Sequence, residues 1–357
     1  MNALAQRIVN LIAAQGPITV AQFMTIAMHD REYGYYATRN PIGAEGDFVT
    51  APEISQMFGE LLGLWCVQTW HDQGRPSMAR LIELGPGRGT LMADALRTAK
   101  IAPGFLAAIE VTLVESNPKL REIQKTTLKD IQPPLAWSDS CDSLLFDRPT
   151  FVLANEFFDA MPVRQLVRTE RGWAERMVGF DSDGELVFVL SPVPAALAVP
   201  VDRAGAPIGG VYEFSDAGMA LAEIIAHGIA EHGGAALVID YGYSKPGFGE
   251  TLQAVAAQQA TTLLGAPGEA DVSASVDFAA LAAAAETQGA ATYGPIGQGD
   301  FLVDLGILQR ADTLKRGRAN GPSVDFDLNR LIAPDEMGEL FKVLAIVPTN
   351  APPPAGF

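Results

Sequence analysis

The spacing of apolar positions changes near residue 80. Before that point it is helical: Leu4, Ile8, Leu11 and Ile12 fall on one face of a first helix that stops at Gly16-Pro17. Thr19 followed by Gln22 reads as a capping box opening a second helix to about Met28. Thr50 followed by Glu53, with Pro52 in the first turn, predicts a long third helix to about Trp70. Between these helices run Tyr33-Gly-Tyr-Tyr36 and a polar, glycine-rich loop from Thr38 to Phe48.

From Arg80 the pattern alternates between short apolar runs and amphipathic stretches. Strands are predicted at Arg80–Leu84, Val111–Glu115, Leu135–Trp137, Phe151–Ala154 and Ala235–Asp240. Helices fit Pro118 to about Lys129, Ala217–Glu231 and Ala279–Gln288. Such alternation predicts an α/β fold with a mostly parallel sheet and right-handed crossovers. Val163–Arg168, Trp173–Gly179 and Leu186–Leu190 read instead as an antiparallel insertion, followed by a surface loop from Pro192 to Gly210. Thr292–Gly294 and Phe341–Val347 would supply closing strands, and the proline-rich tail is expected to fray. The expected organisation is a helical region at 1–75, a main domain at 76–348 with an insertion at about 163–212, and a flexible tail at 349–357.

Composition narrows the classes of function. The 357 residues suffice for a large core, and no window approaches the roughly 18 apolar residues of a membrane span. The first residues carry neither the apolar core of a secretory signal nor the arginines of a transit peptide. Cys66 and Cys141 are the only cysteines, and the four histidines lack ligand spacing, so a disulfide framework and structural zinc are not expected. A reducing cytoplasm is the expected location. The net charge of −17 disfavours nucleic acid as a partner.

The sharpest local signal is Glu83-Leu-Gly-Pro-Gly-Arg-Gly-Thr90. It places glycines at 85, 87 and 89 between a strand and a helix start. Glycines let the backbone turn tightly against a ligand, and a helix N-terminus offers unpaired N–H groups to it. A dinucleotide fingerprint would put the third glycine three residues after the second; here it follows by two. The pattern acid-x-Gly-x-Gly-x-Gly resembles the first motif of class I methyltransferases, which bind S-adenosyl-L-methionine (SAM). Glu83, Gly85, Pro86, Gly87, Gly89 and Thr90 are therefore candidate cofactor residues.

Ligands in open α/β sheets bind outside the carboxyl ends of the strands. The second strand ends in Glu115-Ser116, where an acid can accept from both ribose hydroxyls; the third ends near Asp139-Ser140, suited to the adenine amino group. The fourth ends in Asn155-Glu156, with Asp159 shortly after. Two carboxylates beside Phe157 and Phe158 suit a cationic planar acceptor such as a guanidinium, which a carboxylate can grip through two N–H groups. Asn155, Glu156 and Asp159 are the candidate catalytic residues. Asp240-Tyr-Gly242 closes another strand, where Asp240 could simply brace a loop.

Tyr33-Gly-Tyr-Tyr36, Gly46-Asp-Phe-Val-Thr-Ala-Pro-Glu-Ile-Ser-Gln-Met-Phe-Gly-Glu60, the glycine motif, Val114-Glu-Ser-Asn-Pro118, Asn155-Glu-Phe-Phe-Asp-Ala-Met-Pro162, Asp240-Tyr-Gly242 and Val276-Asp-Phe278 together resemble the MidA-like methyltransferases. This is the family of the mitochondrial complex I assembly arginine methyltransferase and its bacterial relatives. The resemblance implies a class I methyltransferase fold, SAM as cofactor, and symmetric dimethylation of an arginine on a complex I subunit. It also implies that Gly46 to Ser55 forms part of a lid. The stretch from Gln253 to Ser275 departs from the family pattern, which bears on the acceptor side rather than on the cofactor. A SAM-binding assembly scaffold with little catalysis, a methyltransferase for another nitrogen, and a nicotinamide enzyme are the competing readings. The oligomeric state is not readable from the sequence.

Overall fold

A computed structural model of the chain describes residues 1–38, 50–141, 144, 146–192, 199, 205–245, 247–317 and 321–357. Most of the expected glycine-rich loop, including Gly46 to Phe48, lies outside the described residues, as does much of the loop expected after Pro192. The chain divides into two compact units. One contains Met1–Phe48, Asp159–Met219 and Lys245–Ser275; the other contains Val49–Phe158, Ala220–Ser244 and Val276–Phe357. The division thus cuts across the expected boundary near residue 75, because the first helices share a core with the inserted strands rather than forming a region of their own.

In the first unit, Ala3–Gln15 and Val20–His29 are helices, and the second opens with the expected reciprocal capping box between Thr19 and Gln22. Leu4, Ile8, Ile12 and Phe23 bury against Ile18, Val178 and Leu186. Ile18–Thr19, Gly172–Phe180, Arg164–Thr169, Val211–Phe214 and Leu186–Leu190 form an antiparallel sheet. The divergent stretch from residue 253 forms its own antiparallel sheet of Gln253–Ala256, Gln259–Thr261 and Asp271–Ser273. Asp159 belongs to this unit, and its carbonyl accepts the N–H of Ala274 at 2.9 Å.

The second unit holds the main sheet. Its strands are β1 (Ala79–Leu84), β2 (Ile109–Val114), β3 (Leu135–Ser138), β4 (Thr150–Asn155), β5 (Gly234–Tyr243), β6 (Ala290–Gly297) and β7 (Phe341–Pro348). They lie in the order β6-β7-β5-β4-β1-β2-β3, with the short strand Val276–Asp277 added beside β5. β3, β2, β1, β4 and β5 run parallel, whereas β7 is antiparallel to both β5 and β6. The order reverses between β1 and β4, which opens a crevice at their carboxyl ends. β1, β4 and β5 are buried almost throughout, as parallel strands covered on both faces must be.

Two helices precede β1: α1 (Ala51–Ile54) and α2 (Gln56–Asp72). The expected single helix from Thr50 is broken at Ser55, which is extended and caps α2 by accepting from Met57. The expected capping box at Thr50 is absent: Thr50 makes no side-chain cap bond. Helix α3 (Thr90–Thr98) follows the glycine turn and packs tightly on α2. A Cβ at Gly59 would lie 2.8 Å from the Asp94 Cβ, and one at Gly63 would lie 2.5 Å from the Ala95 carbonyl oxygen. The buried Glu60 carboxylate ties α2 to α3 through Arg97 (2.7 Å) and to α6 (Ile307–Gly317) through Arg310 (2.6 and 2.9 Å). Burial pushes the Glu60 pKa up, but bonds from Arg310 and Arg97 outweigh it and hold the carboxyl below its usual range.

Helix α4 (Pro118–Thr127) connects β2 to β3, and α5 (Phe278–Thr287) precedes β6. The tail is not frayed as expected. Phe357 packs on Phe301 and Tyr293, with ring centroids 5.3 and 6.5 Å apart. Ring contacts of this kind hold a proline-rich segment that its composition alone would leave loose.

Candidate functional site

The carboxyl ends of β1, β2, β3 and β4 carry the residues singled out in the sequence. The turn after β1 has all three glycines in the left-handed region: φ is +62° at Gly85, +53° at Gly87 and +80° at Gly89. Other residues adopt such angles only at a cost. Gly85 carries a second constraint, because a Cβ there would lie 2.9 Å from Cδ2 of Phe157. The Gly89 N–H donates to the Pro86 carbonyl at 2.7 Å, closing the turn just before α3. The free N–H groups and positive end of α3 thus point at the space beside the turn.

Glu83 sits one residue before the end of β1 and is 3% exposed. Burial pushes its carboxyl pKa up to about 8, with the Met92 N–H pulling the other way. Its Oε2 has no protein partner, and neither has the buried Oδ1 of Asn155 at the end of β4. Glu83 pairs in register with Leu153, so Asn155, two residues on, projects from the same face of the sheet. Buried polar atoms without partners cost free energy that a ligand matching them would recover.

Glu115 follows β2 and is buried. Its Oε1 accepts the Asn117 N–H at 2.7 Å and its Oε2 the Gln124 amide at 3.2 Å. Burial raises its pKa; the bonds from Asn117 and Gln124 offset part of that rise. Ser116 is exposed beside it. At the end of β3, Asp139 is largely exposed and pairs with Arg121 at 2.6 Å, while the Ser138 hydroxyl donates to the Ser140 carbonyl at 2.7 Å.

Glu156 follows β4 with φ +50°, a conformation rarely adopted by a residue with a side chain. Its Oε1 accepts the Asn155 amide at 3.2 Å and the Ala51 N–H of α1 at 3.3 Å. The next turn is held from below by Asp240. Its Oδ2 accepts the N–H groups of Phe157 and Phe158 at 3.1 and 3.0 Å, and its Oδ1 accepts that of Tyr241 at 2.9 Å. Asp240 is fully buried and serves the brace that was one of its expected roles. Thr90 does not face the turn alone: its hydroxyl donates to Glu53 of α1 at 2.5 Å. α1 is therefore tied to both the α3 start and Glu156.

The structure brings Glu83, the glycines, Glu115, Asn155 and Glu156 to one edge of the main sheet. Asp159 is assigned to the other unit. The sequence pattern makes Glu53 a capping partner; in the structure it binds Thr90. Gln124 belongs to no motif, yet it stands between Leu120 and Leu128 on the buried stripe of α4, where an amide signals a specific partner. No group of side chains that could hold a metal ion occurs among the described residues.

The glycine turn, the buried Glu115 and the unpartnered atoms of Glu83 and Asn155 stand together at the carboxyl ends of β1, β2 and β4. Comparison with known proteins identifies the family. A family model of S-adenosyl-L-methionine-dependent methyltransferases matches residues 61–296. The zebrafish (Danio rerio) mitochondrial protein arginine methyltransferase NDUFAF7 is 36% identical over 374 residues, covering 97% of this chain and 87% of the relative. The human (Homo sapiens) counterpart is 38% identical over 370 residues, covering 94% and 81%. A Burkholderia thailandensis crystal structure bound to S-adenosyl-homocysteine matches with a TM-score of 0.85 at 29% identity, covering 99% of this chain and 94% of that one. The expected cytoplasmic location is overturned, since the matched curated relatives are mitochondrial proteins. Cysteine usage had reported only a reducing environment, which does not specify an address.

Proposed function

The chain belongs to this family of SAM-dependent methyltransferases, and we propose that it methylates a protein, on an arginine nitrogen, with Glu156 gripping the acceptor. Bound SAM supplies a methyl group on a sulfonium, activated for in-line displacement by a nitrogen lone pair. The chain must then position the acceptor and accept the proton it loses. The turn from Gly85 to Gly89 and Thr90 would hold the methionine portion. Glu115, with Ser116 beside it, would hold the ribose, and Asp139 with Ser140 would border the adenine.

The observation that carries the acceptor assignment is the conformation of Glu156. A left-handed backbone at a glutamate costs about 1–2 kcal/mol. Asp240 and α1 hold that conformation from two sides. Such outliers concentrate at functional sites. A carboxylate fixed in this way can accept two guanidinium N–H groups and aim the third nitrogen. The names of the relatives support arginine as the acceptor. The finer reading is symmetric dimethylation of an arginine on a respiratory complex I subunit, which rests on the resemblance of the motifs. Asp159 remains a candidate for the acceptor side.

The test is radiolabelled methyl transfer from SAM into an extract lacking this protein, followed by mapping of the labelled residue and of methyl symmetry by mass spectrometry. Label on lysine, or only on a small molecule, would overturn the arginine reading.

A further inference from the structure

Gln124 is fully buried in α4 and makes three side-chain hydrogen bonds, all to elements of the candidate site. Its amide nitrogen donates to the Gly87 carbonyl at 2.8 Å and to Glu115 Oε2 at 3.2 Å. Its amide oxygen accepts the indole N–H of Trp137, on β3, at 2.8 Å. The indole can only donate, so it fixes which end of the amide faces β3. Both amide hydrogens are thereby committed to the glycine turn and to the β2 acid. No other side chain of this length donates twice from one atom and accepts from another without carrying a charge.

We infer that Gln124 is a positioning residue for the cofactor, setting the distance between the glycine turn and the Glu115 carboxylate so that both meet one adenosyl group. The inference rests on the reading of Glu115 as the ribose acceptor. Gln124 touches no ligand itself and acts through Gly87 and Glu115. Glutamate at 124 has the right shape and the wrong chemistry. Once ionised, it turns a carboxylate against the Gly87 carbonyl and against Glu115. While the pair keeps one proton, one donor survives. Burial raises the Glu115 pKa against the pull of Asn117, Gln124, the Arg121 charge and the Ser116 N–H, so the pair keeps this proton more readily at the lower pH.

The experiment is calorimetric titration of the full chain with S-adenosyl-homocysteine at pH 6 and pH 8, with melting temperature as the fold control. For Gln124→Glu, affinity is expected to fall about tenfold or more at pH 8 and distinctly less at pH 6, as like charges one hydrogen bond apart require. The wild-type protein, titrated at both pH values, is the reference for each variant. Trp137→Phe, a milder change at a half-buried ring, leaves the amide free to turn over and should weaken binding about threefold at both pH values, in line with one lost neutral hydrogen bond. A uniform loss of melting temperature with unchanged affinity in both variants would make Gln124 merely structural and overturn the inference. Glu115→Gln separates the two levels. If it binds S-adenosyl-homocysteine like the wild type, the ribose reading fails and this inference with it. If it binds weakly while the Gln124 and Trp137 variants bind normally, only this inference fails.

Discussion

The buried carboxylate of Asp240 accepts the backbone N–H of Phe157 at 3.1 Å, and so fixes the turn that leaves Glu156 at φ +50°. The strained residue directly follows β4, and the residue that restrains it lies on β5, the parallel neighbour of β4. Asp240→Asn keeps the shape and removes one acceptor. Its expected cost is about 1–3 kcal/mol of stability, the range for a buried N–H left unmatched. Methyl transfer should fall while S-adenosyl-homocysteine binding persists. Denaturant unfolding and calorimetry together check this, and loss of cofactor binding alone would contradict it.

Glu156→Gln should lower methyl transfer by about 100-fold or more, the usual weight of a positioned acid–base group, with cofactor affinity retained. Glu156→Gly makes the complementary test. It relieves the left-handed backbone by about 1–2 kcal/mol but leaves the buried Ala51 N–H without its acceptor, a comparable cost, so it should be inactive with a stability close to that of the wild type. A glycine variant that unfolds earlier would show that the side chain, not the backbone, dominates there.

Gly85→Ala meets two penalties at once. The left-handed φ costs about 1–2 kcal/mol, and the new methyl meets Phe157. Phe157→Leu combined with Gly85→Ala should recover the contact part and not the backbone part. Unfolding of the single and double variants separates them.

In the packing of α2 on α3, two effects oppose each other at Gly63. Alanine gains about 1 kcal/mol of helix propensity over glycine. Its methyl would lie 2.5 Å from the Ala95 carbonyl oxygen, a backbone atom that cannot swing aside. Overpacking of that kind costs about 1–3 kcal/mol, so Gly63→Ala should destabilise on balance. A raised melting temperature would refute the close approach.

Glu83 predicts a pH dependence. Its pKa in the fold is raised from 4.5 to about 8. Below the unfolded value both states are protonated and nothing is lost. Above it the unfolded chain ionises first, so stability falls as pH rises until the folded carboxyl ionises near 8. The slope attributable to this one group is about 1.4 kcal/mol per pH unit at most. Glu83→Gln should flatten that decline between pH 5 and 8, measured as the difference in urea midpoints. Parallel curves for the two proteins would refute it.

Much of the sheet unit was legible because a parallel strand is an apolar run and its end is marked by a glycine or an acid. Leu81 to Gly89, Val111 to Glu115 and Phe151 to Glu156 could be read in that way. What escaped was set by partners distant in sequence. Glu53 fits a capping box at Thr50, but Thr90, 37 residues on, draws it away. Gln124 contacts Gly87 from 37 residues away, and no local pattern announces that bond. The break at Ser55 and the seating of Phe357 are likewise tertiary choices. The pairing of residues 1–48 with 159–219 follows from shared apolar faces whose partners a single sequence does not name.

The bond between Asp240 and Phe157 spans 83 residues, and that distance has a meaning in time. The glycine turn, Glu115 and Gln124 are all made before residue 130 and can settle as β1 to β3 assemble. The turn beyond Glu156 has to wait for β5 to leave the ribosome. Domains form from the N-terminus forward at about 5–20 residues per second. On the proposed roles, the residues assigned to the cofactor are therefore synthesised some seconds before the brace beneath the residue assigned to the acceptor.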